Sequence, residues 1–359
     1  MSRKIAIIGT NGIPSKYGGF ETLVEYLAEY LGTQYDITIY CSSKTSIDKK
    51  SFYKNCKLEY IPLNANGWQS IIYDIVSIFK SHKKFDKILV LGCSGSIVMP
   101  LLLNYRNKFI MNLGGLDWQR SKWGFYTRKF LKFSEKMAVK YSGDVISDNL
   151  GIKEYLRKEY NCDSILITYG GDQVEKIAPQ NSHLEKYPFL KSGYAFSVAR
   201  IQPDNNIDML LESFDETSPF PIVIVGNWHH STYGKNILKK FINHPNIILL
   251  NAIYDQKELN ILRSNCKVYL HAHSAGGTNP ALVEAMNLSL PILTYDCVYN
   301  RYTTNSKALY FADSEELSKK IKSLSEDDLN TLGKNMYAIA KDIYQWEKIA
   351  KLYSTVIDK

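Results

Sequence analysis

Compact apolar runs alternate along the chain with longer segments in which apolar residues recur every three or four positions. Lys4-Ile-Ala-Ile-Ile8 is the first run, and Phe20, Leu23, Val24, Leu27 and Leu31 then share one face of a helix. Residues 36–41 form the next run. Strand, helix, strand is the opening of a doubly wound parallel sheet. Further strands are predicted at 58–61, 87–91, 108–112, 145–147 and 165–168, and helices at 122–141 and 152–160. The pattern lapses over 176–191, a polar, proline-containing stretch that reads as an interdomain linker. It restarts with strands at 194–199, 221–226, 246–250, 268–270 and 291–295, helices at 207–214 and 255–265, and a helical tail at 338–357. Two α/β halves in sequence predict two Rossmann-like domains facing across a cleft.

One stretch concentrates candidate chemistry: His271-Ala-His-Ser-Ala-Gly-Gly-Thr-Asn-Pro-Ala-Leu-Val-Glu284-Ala-Met286. It leaves an apolar strand and opens a helix. Asn279 is a good N-cap, and Pro280 suits the first helical position, where its missing N–H costs nothing. Gly276 and Gly277 let backbone approach a ligand, and the free N–H groups near Thr278 and Asn279 favour an anion such as phosphate. Glu284 lies in an apolar helical segment, too far past the cap to close a capping box. It is either a helix former on a solvated face or a carboxylate with buried partners, since an unpaired buried charge is costly.

Other loops at strand ends carry similar signals. Gly9-Thr-Asn-Gly12 and Gly18-Gly19 flank the start of the first helix, where they serve a tight turn or receive a phosphate or sugar hydroxyl. Two features argue against a nicotinamide site: the glycine spacing is not GxGxxG, and the second strand ends in Cys41-Ser42-Ser43 without an acid for the ribose. Gly114-Gly-Leu-Asp117-Trp-Gln-Arg-Ser-Lys-Trp123 follows another strand, and Asp117 is there either a ligand-facing acid or a helix N-cap. Asp148 and Asn149 end the strand at 145–147. Arg200 ends the first strand of the second half, where a permanent cation suits a diphosphate.

The 359 residues suffice for two domains, and 45% are hydrophobic, enough for a core in each. The six cysteines are scattered with no zinc spacing, which argues for a reducing compartment and against a structural metal. The apolar run near the N-terminus is too short for a signal peptide, and no stretch has the length of a membrane span. The formal charge of +8 favours an anionic partner. In the helix at 122–141, Lys122, Arg128, Lys129, Lys132, Lys136 and Lys140 are interleaved with Trp123, Phe125, Tyr126, Phe130 and Phe133. That composition suits an anionic membrane surface or a packed helix with a solvated basic face. No recognised nucleic-acid motif accompanies it.

Together these residues resemble glycosyltransferase family 4, two-domain enzymes of the GT-B fold. Gly18-Gly-Phe-Glu-Thr-Leu-Val-Glu-Tyr-Leu resembles the family's N-terminal loop and helix, and Tyr169-Gly-Gly-Asp172 its turn before the linker. Arg200 stands at its diphosphate-binding arginine, Gly276-Gly-Thr-Asn-Pro-Ala-Leu-Val-Glu284 at its donor motif, and Trp346-Glu347 in its tail helix. The N-terminal form Gly-Thr-Asn-Gly-Ile-Pro-Ser-Lys-Tyr-Gly-Gly-Phe-Glu-Thr, with Gly115-Leu-Asp-Trp-Gln-Arg and Gly226-Asn-Trp, is similar to a subgroup of bacterial rhamnosyltransferases that build polysaccharide on lipid carriers. Two positions depart from the wider family. Gly276 replaces the first glutamate of the donor motif, and Asn205 replaces a basic residue after the arginine.

The resemblance implies an acceptor-binding domain at 1–178, a nucleotide-sugar domain at 190–335 and a helix at 336–359 crossing back to the first domain. It implies retaining transfer of a hexose, L-rhamnose from dTDP-rhamnose, or alternatively a hexose from a UDP-sugar, to a lipid-diphosphate-linked saccharide. Arg200 and the N–H groups of Gly277, Thr278 and Asn279 would meet the leaving diphosphate. Glu284 would accept from the ribose, and Asp117 and Asp148 are candidates for orienting the acceptor or the sugar. No cofactor or metal is expected, and the enzyme would sit at the cytoplasmic face of the cell membrane. Rivals are a sugar-nucleotide epimerase, a glycan phosphorylase and a non-catalytic nucleotide-sugar or lipid-head-group binder.

Overall fold

The structure is a computed structural model that describes residues 2–14, 18–45, 48–120 and 123–359. Ser15, Lys16, Tyr17, Ser121 and Lys122 of the segments singled out above lie outside the described residues. The chain divides into two units, Met1–Tyr169 with Trp346–Lys359, and Gly170–Gln345.

In the first unit the order is β1 (Lys4–Ile8), α1 (Gly19–Leu31), β2 (Asp36–Ser42), β3 (Phe52–Tyr53), β4 (Cys56–Ile61), α2 (Gln69–Ser81) and β5 (Lys87–Leu91). Then follow a 3-10 segment (Ser96–Lys108), β6 (Phe109–Leu113), α3 (Phe125–Tyr141), β7 (Asp144–Ser147), α4 (Leu150–Tyr160) and β8 (Ile165–Leu166). The sheet order is β3-β4-β2-β1-β5-β6-β7-β8, parallel except for the small β3–β4 hairpin. Ile5, Ile7, Ile37 and Ile39 are almost wholly buried, as expected of strands covered on both faces.

The second unit begins with α5 (Asn181–Lys186) and β9 (Ala195–Val198), then α6 (Ile207–Glu212), β10 (Ile222–Gly226), α7 (Thr232–Phe241) and β11 (Ile247–Asn251). It continues with α8 (Gln256–Ser264), β12 (Val268–His271), α9 (Pro280–Asn287), β13 (Ile292–Tyr295), α10 (Val298–Thr303), β14 (Leu309–Phe311), α11 (Ser314–Ser323) and α12 (Glu326–Ile343). All six strands are parallel, in the order β11-β10-β9-β12-β13-β14. In each sheet the winding reverses beside the unit's first strand, between β1 and β5 and between β9 and β12. Ligands of open α/β sheets bind outside the carboxyl ends of the strands at that reversal.

The boundaries differ from the sequence expectation in two places. Residues 176–191 are no plain linker: Tyr187 and Phe189 are buried in the second unit's core with Tyr194 and Phe196. The helical tail is two helices, because α12 stops at Ile343 and α13 (Trp346–Ile357) starts after a break at Tyr344–Gln345. The break is anchored to the second unit: the Gly171 N–H donates to the Tyr344 carbonyl at 3.0 Å, and the Asn287 side-chain amide donates to the same oxygen at 3.2 Å. α13 belongs to the first unit, where Trp346 is 1% exposed and stacks on Tyr26 at 4.5 Å between centroids. Trp346→Ala is therefore expected to destabilise the first unit by about 3–5 kcal/mol, the range for truncating a buried tryptophan. Hydrogen exchange of α1 and α13 against the second unit's strands checks it.

Candidate functional site

The second unit's site starts at Glu284. Its carboxylate is neither solvated nor unpaired. Oε2 accepts from Nη1 of Arg263 at 2.5 Å, and Oε1 accepts from Nε2 of Gln173 at 2.6 Å. The Arg263 side chain is 2% exposed and that of Glu284 14%. A pair this enclosed differs from the surface pair Lys319–Glu315, where both side chains are more than 70% exposed and the contribution is about 0–1 kcal/mol. Removing one partner of a buried pair costs about 3–5 kcal/mol. Each carboxylate oxygen keeps acceptor capacity beyond the bond it already receives.

Asn279 caps α9 as expected, its side chain accepting from the Ala281 N–H at 3.0 Å. Thr278 is buried, and Gly277 is half-buried. Gly276 has φ +121° with open space where a side chain would stand. The loop follows a path that L-residues rarely take, so more than a side chain is missing relative to a glutamate at 276.

Arg200 stands exposed just beyond β9. Asn205 has a structural role: it is buried, and its Nδ2 donates to the Arg200 carbonyl at 2.6 Å. Asn206, in a left-handed conformation, donates to the Ala272 carbonyl at 2.8 Å. The N–H and hydroxyl of Ser274 both donate to the Asp204 carbonyl at 3.0 Å. The Ile201 N–H donates to Oδ1 of Asn227 at 3.0 Å, and Asn300 Nδ2 donates to the His273 carbonyl at 3.0 Å. The structure thus binds together the loops after β9, β10, β12 and β13, and brings Arg200, Gly276, Gly277, Thr278 and Asn279 to one end of one sheet.

The first unit repeats the arrangement around a different residue. Glu21 in α1 accepts through Oε1 from the Asn11 N–H at 3.0 Å, from Asn11 Nδ2 at 2.9 Å and from the Thr10 hydroxyl at 3.2 Å. Gly18 has φ +129°, and a Cβ there would lie 2.0 Å from Oε2 of Glu21, so this glycine is fixed by both backbone and packing. Gly19 is the first residue of α1. Asp117 is not an N-cap: it begins a 3-10 turn, is 44% exposed and pairs with Nε of Arg120 at 3.0 Å. Asp148 is 1% exposed. Burial pushes the Tyr169 phenol well up, and the charges of Asp148, Tyr353, Glu21 and Asp117 push it the same way. These acids therefore share the electrostatic surroundings of one buried phenol at the carboxyl end of the first sheet.

Periodicity did not single out Arg263, Gln173 or Glu21. A polar residue inside an apolar helical segment is the signal that such partners exist, but their identity depends on tertiary placement. Asp74 was also missed. It is buried on α2, accepts a hydrogen bond from the Ser94 hydroxyl, and burial pushes its carboxyl up to about 7 against the pull of that bond.

Residues 180–342 match the family described as "Glycosyl transferases group 1". The chain carries a glycosyl transferase group 1 domain. Residues 2–172 match a "Domain of unknown function (DUF1972)", so the two matches follow the two units closely. A probable sucrose-phosphate synthase of Thermosipho melanesiensis is 24% identical over 244 residues, 63% of this chain and 56% of that protein. The chain thus matches little more than half the length of that relative. Sucrose-phosphate synthase from Thermosynechococcus elongatus has the same fold, with TM-score 0.82 at 16% identity over 99% of this chain and 98% of that one. Anabaena HepE, solved in complex with UDP and glucose, gives 0.77 at 14% identity over the whole of both chains. The GT-B expectation of two parallel-sheet domains stands.

Two outcomes follow from this geometry. Arg263→Met is expected to strand Glu284 and lower the stability of the second unit by about 3–5 kcal/mol, whereas Arg263→Met combined with Glu284→Leu recovers most of it. Denaturant titration of the single and double variants checks this. Asp74 holds a proton in the folded chain that the unfolded chain releases from about pH 4 upward, so its stabilisation is present at low pH and falls as pH rises through about 7. Asp74→Asn should remove that part of the pH slope in urea midpoints measured between about pH 5 and pH 8.

Proposed function

We propose that the protein is a glycosyltransferase that moves a hexose, with retention of configuration, from a nucleotide-diphosphate sugar held by the second unit to a lipid-diphosphate-linked saccharide held by the first. The donor is dTDP-rhamnose and the product a capsule, O-antigen or cell-wall polysaccharide intermediate. The observation that carries the reading is Glu284. It is fixed by Arg263 and Gln173 with acceptor capacity left for the ribose hydroxyls. It stands on the helix whose N-terminus, with Arg200, would meet the diphosphate. As the bond to the sugar breaks, charge on the leaving diphosphate is met by the Arg200 guanidinium and by the N–H groups of Gly277, Thr278 and Asn279. No metal ion or cofactor enters this scheme.

In the first unit, Asp117 is accessible enough to orient an acceptor hydroxyl, and the buried Asp148 is the second candidate for orienting the acceptor or the sugar. Gly18 and Gly19, at the start of α1, would receive a hydroxyl of the sugar. The exposed face of α3 suits the cytoplasmic face of a membrane rich in anionic lipid: Phe125, Tyr126 and Phe133 are at least half exposed, and Arg128, Lys129, Lys136 and Lys140 are exposed with them. Among the described residues no helix is long and apolar enough to cross a membrane. A UDP-hexose donor is the second reading, favoured by the fold shared with HepE, which was solved with UDP and glucose.

The test is a donor panel of dTDP-rhamnose, UDP-glucose, UDP-galactose, UDP-N-acetylglucosamine and GDP-mannose against a synthetic lipid-diphosphate-sugar acceptor, with linkage analysis. Transfer from dTDP-rhamnose is expected, and preferential transfer from a UDP-sugar supports the second reading. Nucleotide binding without turnover on any acceptor would leave a binding protein. Glu284→Ala and Arg200→Ala should each lower kcat/KM by about a hundredfold, as loss of a charge-stabilising group does. Unchanged transfer in both would remove the donor-site assignment.

A further inference from the structure

His271 and His273 open the 271–286 stretch, and the reading above gives them no role. His271 closes β12 beside the sheet's reversal and is 1% exposed. Among the described residues its Nε2 has no hydrogen-bond partner, nor has Oγ1 of Thr294, its register neighbour on β13. Burying such groups unpaired costs about 1–3 kcal/mol each, so their retention needs a reason. The ring of His273 lies flat on that of His271, with centroids 4.4 Å apart and planes 4° from parallel. Burial holds His271 well below the usual imidazole value, and His273 adds to that shift. His271 is therefore a neutral platform. The main chain of His273 is fixed separately, its carbonyl accepting from Asn300 Nδ2 at 3.0 Å and from Cys297 Sγ at 3.7 Å. The next residue, Ser274, is tied to the Arg200 loop through Asp204.

We propose that His273 reads the donor sugar, its imidazole edge hydrogen-bonding a hydroxyl of the transferred hexose while His271 positions the ring from beneath. The proposal rests on the donor-site reading and deepens it. His273 is half-buried at the mouth of the loop that leads to the α9 N-terminus and Glu284. Gly276, with its positive φ and no side chain, contributes nothing polar beyond backbone, so a sugar-reading side chain has to come from elsewhere in the loop. An imidazole brings one donor and one acceptor, where a carboxylate only accepts. An imidazole also adds no negative charge beside a diphosphate. His273 is thus a binding residue that sets sugar specificity, and His271 is a positioning residue acting through it.

The test is calorimetry on the full chain with UDP and dTDP alone and with their nucleotide sugars. His273→Ala should weaken the preferred nucleotide sugar by about fivefold to tenfold, the worth of a lost neutral hydrogen bond, and leave the nucleoside diphosphate within about twofold. His273→Gln, which keeps a donor and an acceptor, should recover part of the loss. His271→Phe preserves a flat ring and should bind the sugar nearly as wild type. His271→Ala should match His273→Ala, with no further loss in the double variant. Because His271 is buried, circular dichroism must show a folded chain for its variants, and the two His273 variants decide the matter alone. Equal weakening of nucleotide and nucleotide sugar by His273→Ala, or no weakening of either, overturns the proposal. Failure of the wild-type chain to bind any nucleoside diphosphate overturns the donor-site reading and this proposal with it.

Discussion

A carboxylate inside an apolar helical segment is the constraint on which the second unit's site depends. Glu284 cannot sit in α9 unpaired, and the cation that answers it, Arg263, is itself almost wholly enclosed. Neither charge is tolerable without the other. The pair therefore locks α8 to α9, and Gln173 locks the segment entering the unit to α9. This fixes the helix whose N-terminus carries Gly277, Thr278 and Asn279, and through the Ser274–Asp204 and Asn206–Ala272 bonds it fixes the placement of Arg200. An anion site made of backbone N–H groups is only as well aimed as the helix that bears them.

Both sheets reverse their winding beside their first strand, so the chain builds the same kind of crevice twice. The two crevices are stitched differently. In the first unit one acid, Glu21, gathers the β1–α1 loop by accepting three bonds. In the second, neutral side chains do the gathering, with Asn205, Asn206 and Ser274 bonding to carbonyls of the loops around them. Carboxylates thus stand at the first crevice, while the exposed end of the second carries a cation and N–H donors. That difference matches a division of labour between an acceptor hydroxyl and a diphosphate.

Much of this was legible in the sequence because it depends on local chemistry. The strands at 4–8 and 222–226 are short apolar runs, and Asn279-Pro280 marks the start of α9 by capping alone. The glycines at 18 and 276 mark backbone that L-residues rarely adopt. What was not legible depends on residues far apart in the chain. Arg263 lies in a helix whose pattern reads as ordinary, and nothing local says that its charge is buried against Glu284. The segment at 176–191 lacks periodicity because Tyr187 and Phe189 are anchored singly, and the break before Trp346 is set by hydrogen bonds to Gly171 and Asn287. Asp117 looked like a helix cap or a ligand-facing acid; it caps no helix, but opens a 3-10 turn and pairs with Arg120.

The central claim is that the carboxyl end of the second sheet, organised by Glu284, receives the nucleotide diphosphate. Hydrogen–deuterium exchange on the full chain, with and without saturating dTDP or UDP, tests it most directly. The account predicts slowed exchange in the backbone of 200–206 and 272–287, with the N–H groups of Gly277 to Asn279 among the most protected. Protection confined to the first unit, or absent from both of those segments while the nucleotide binds, would contradict it.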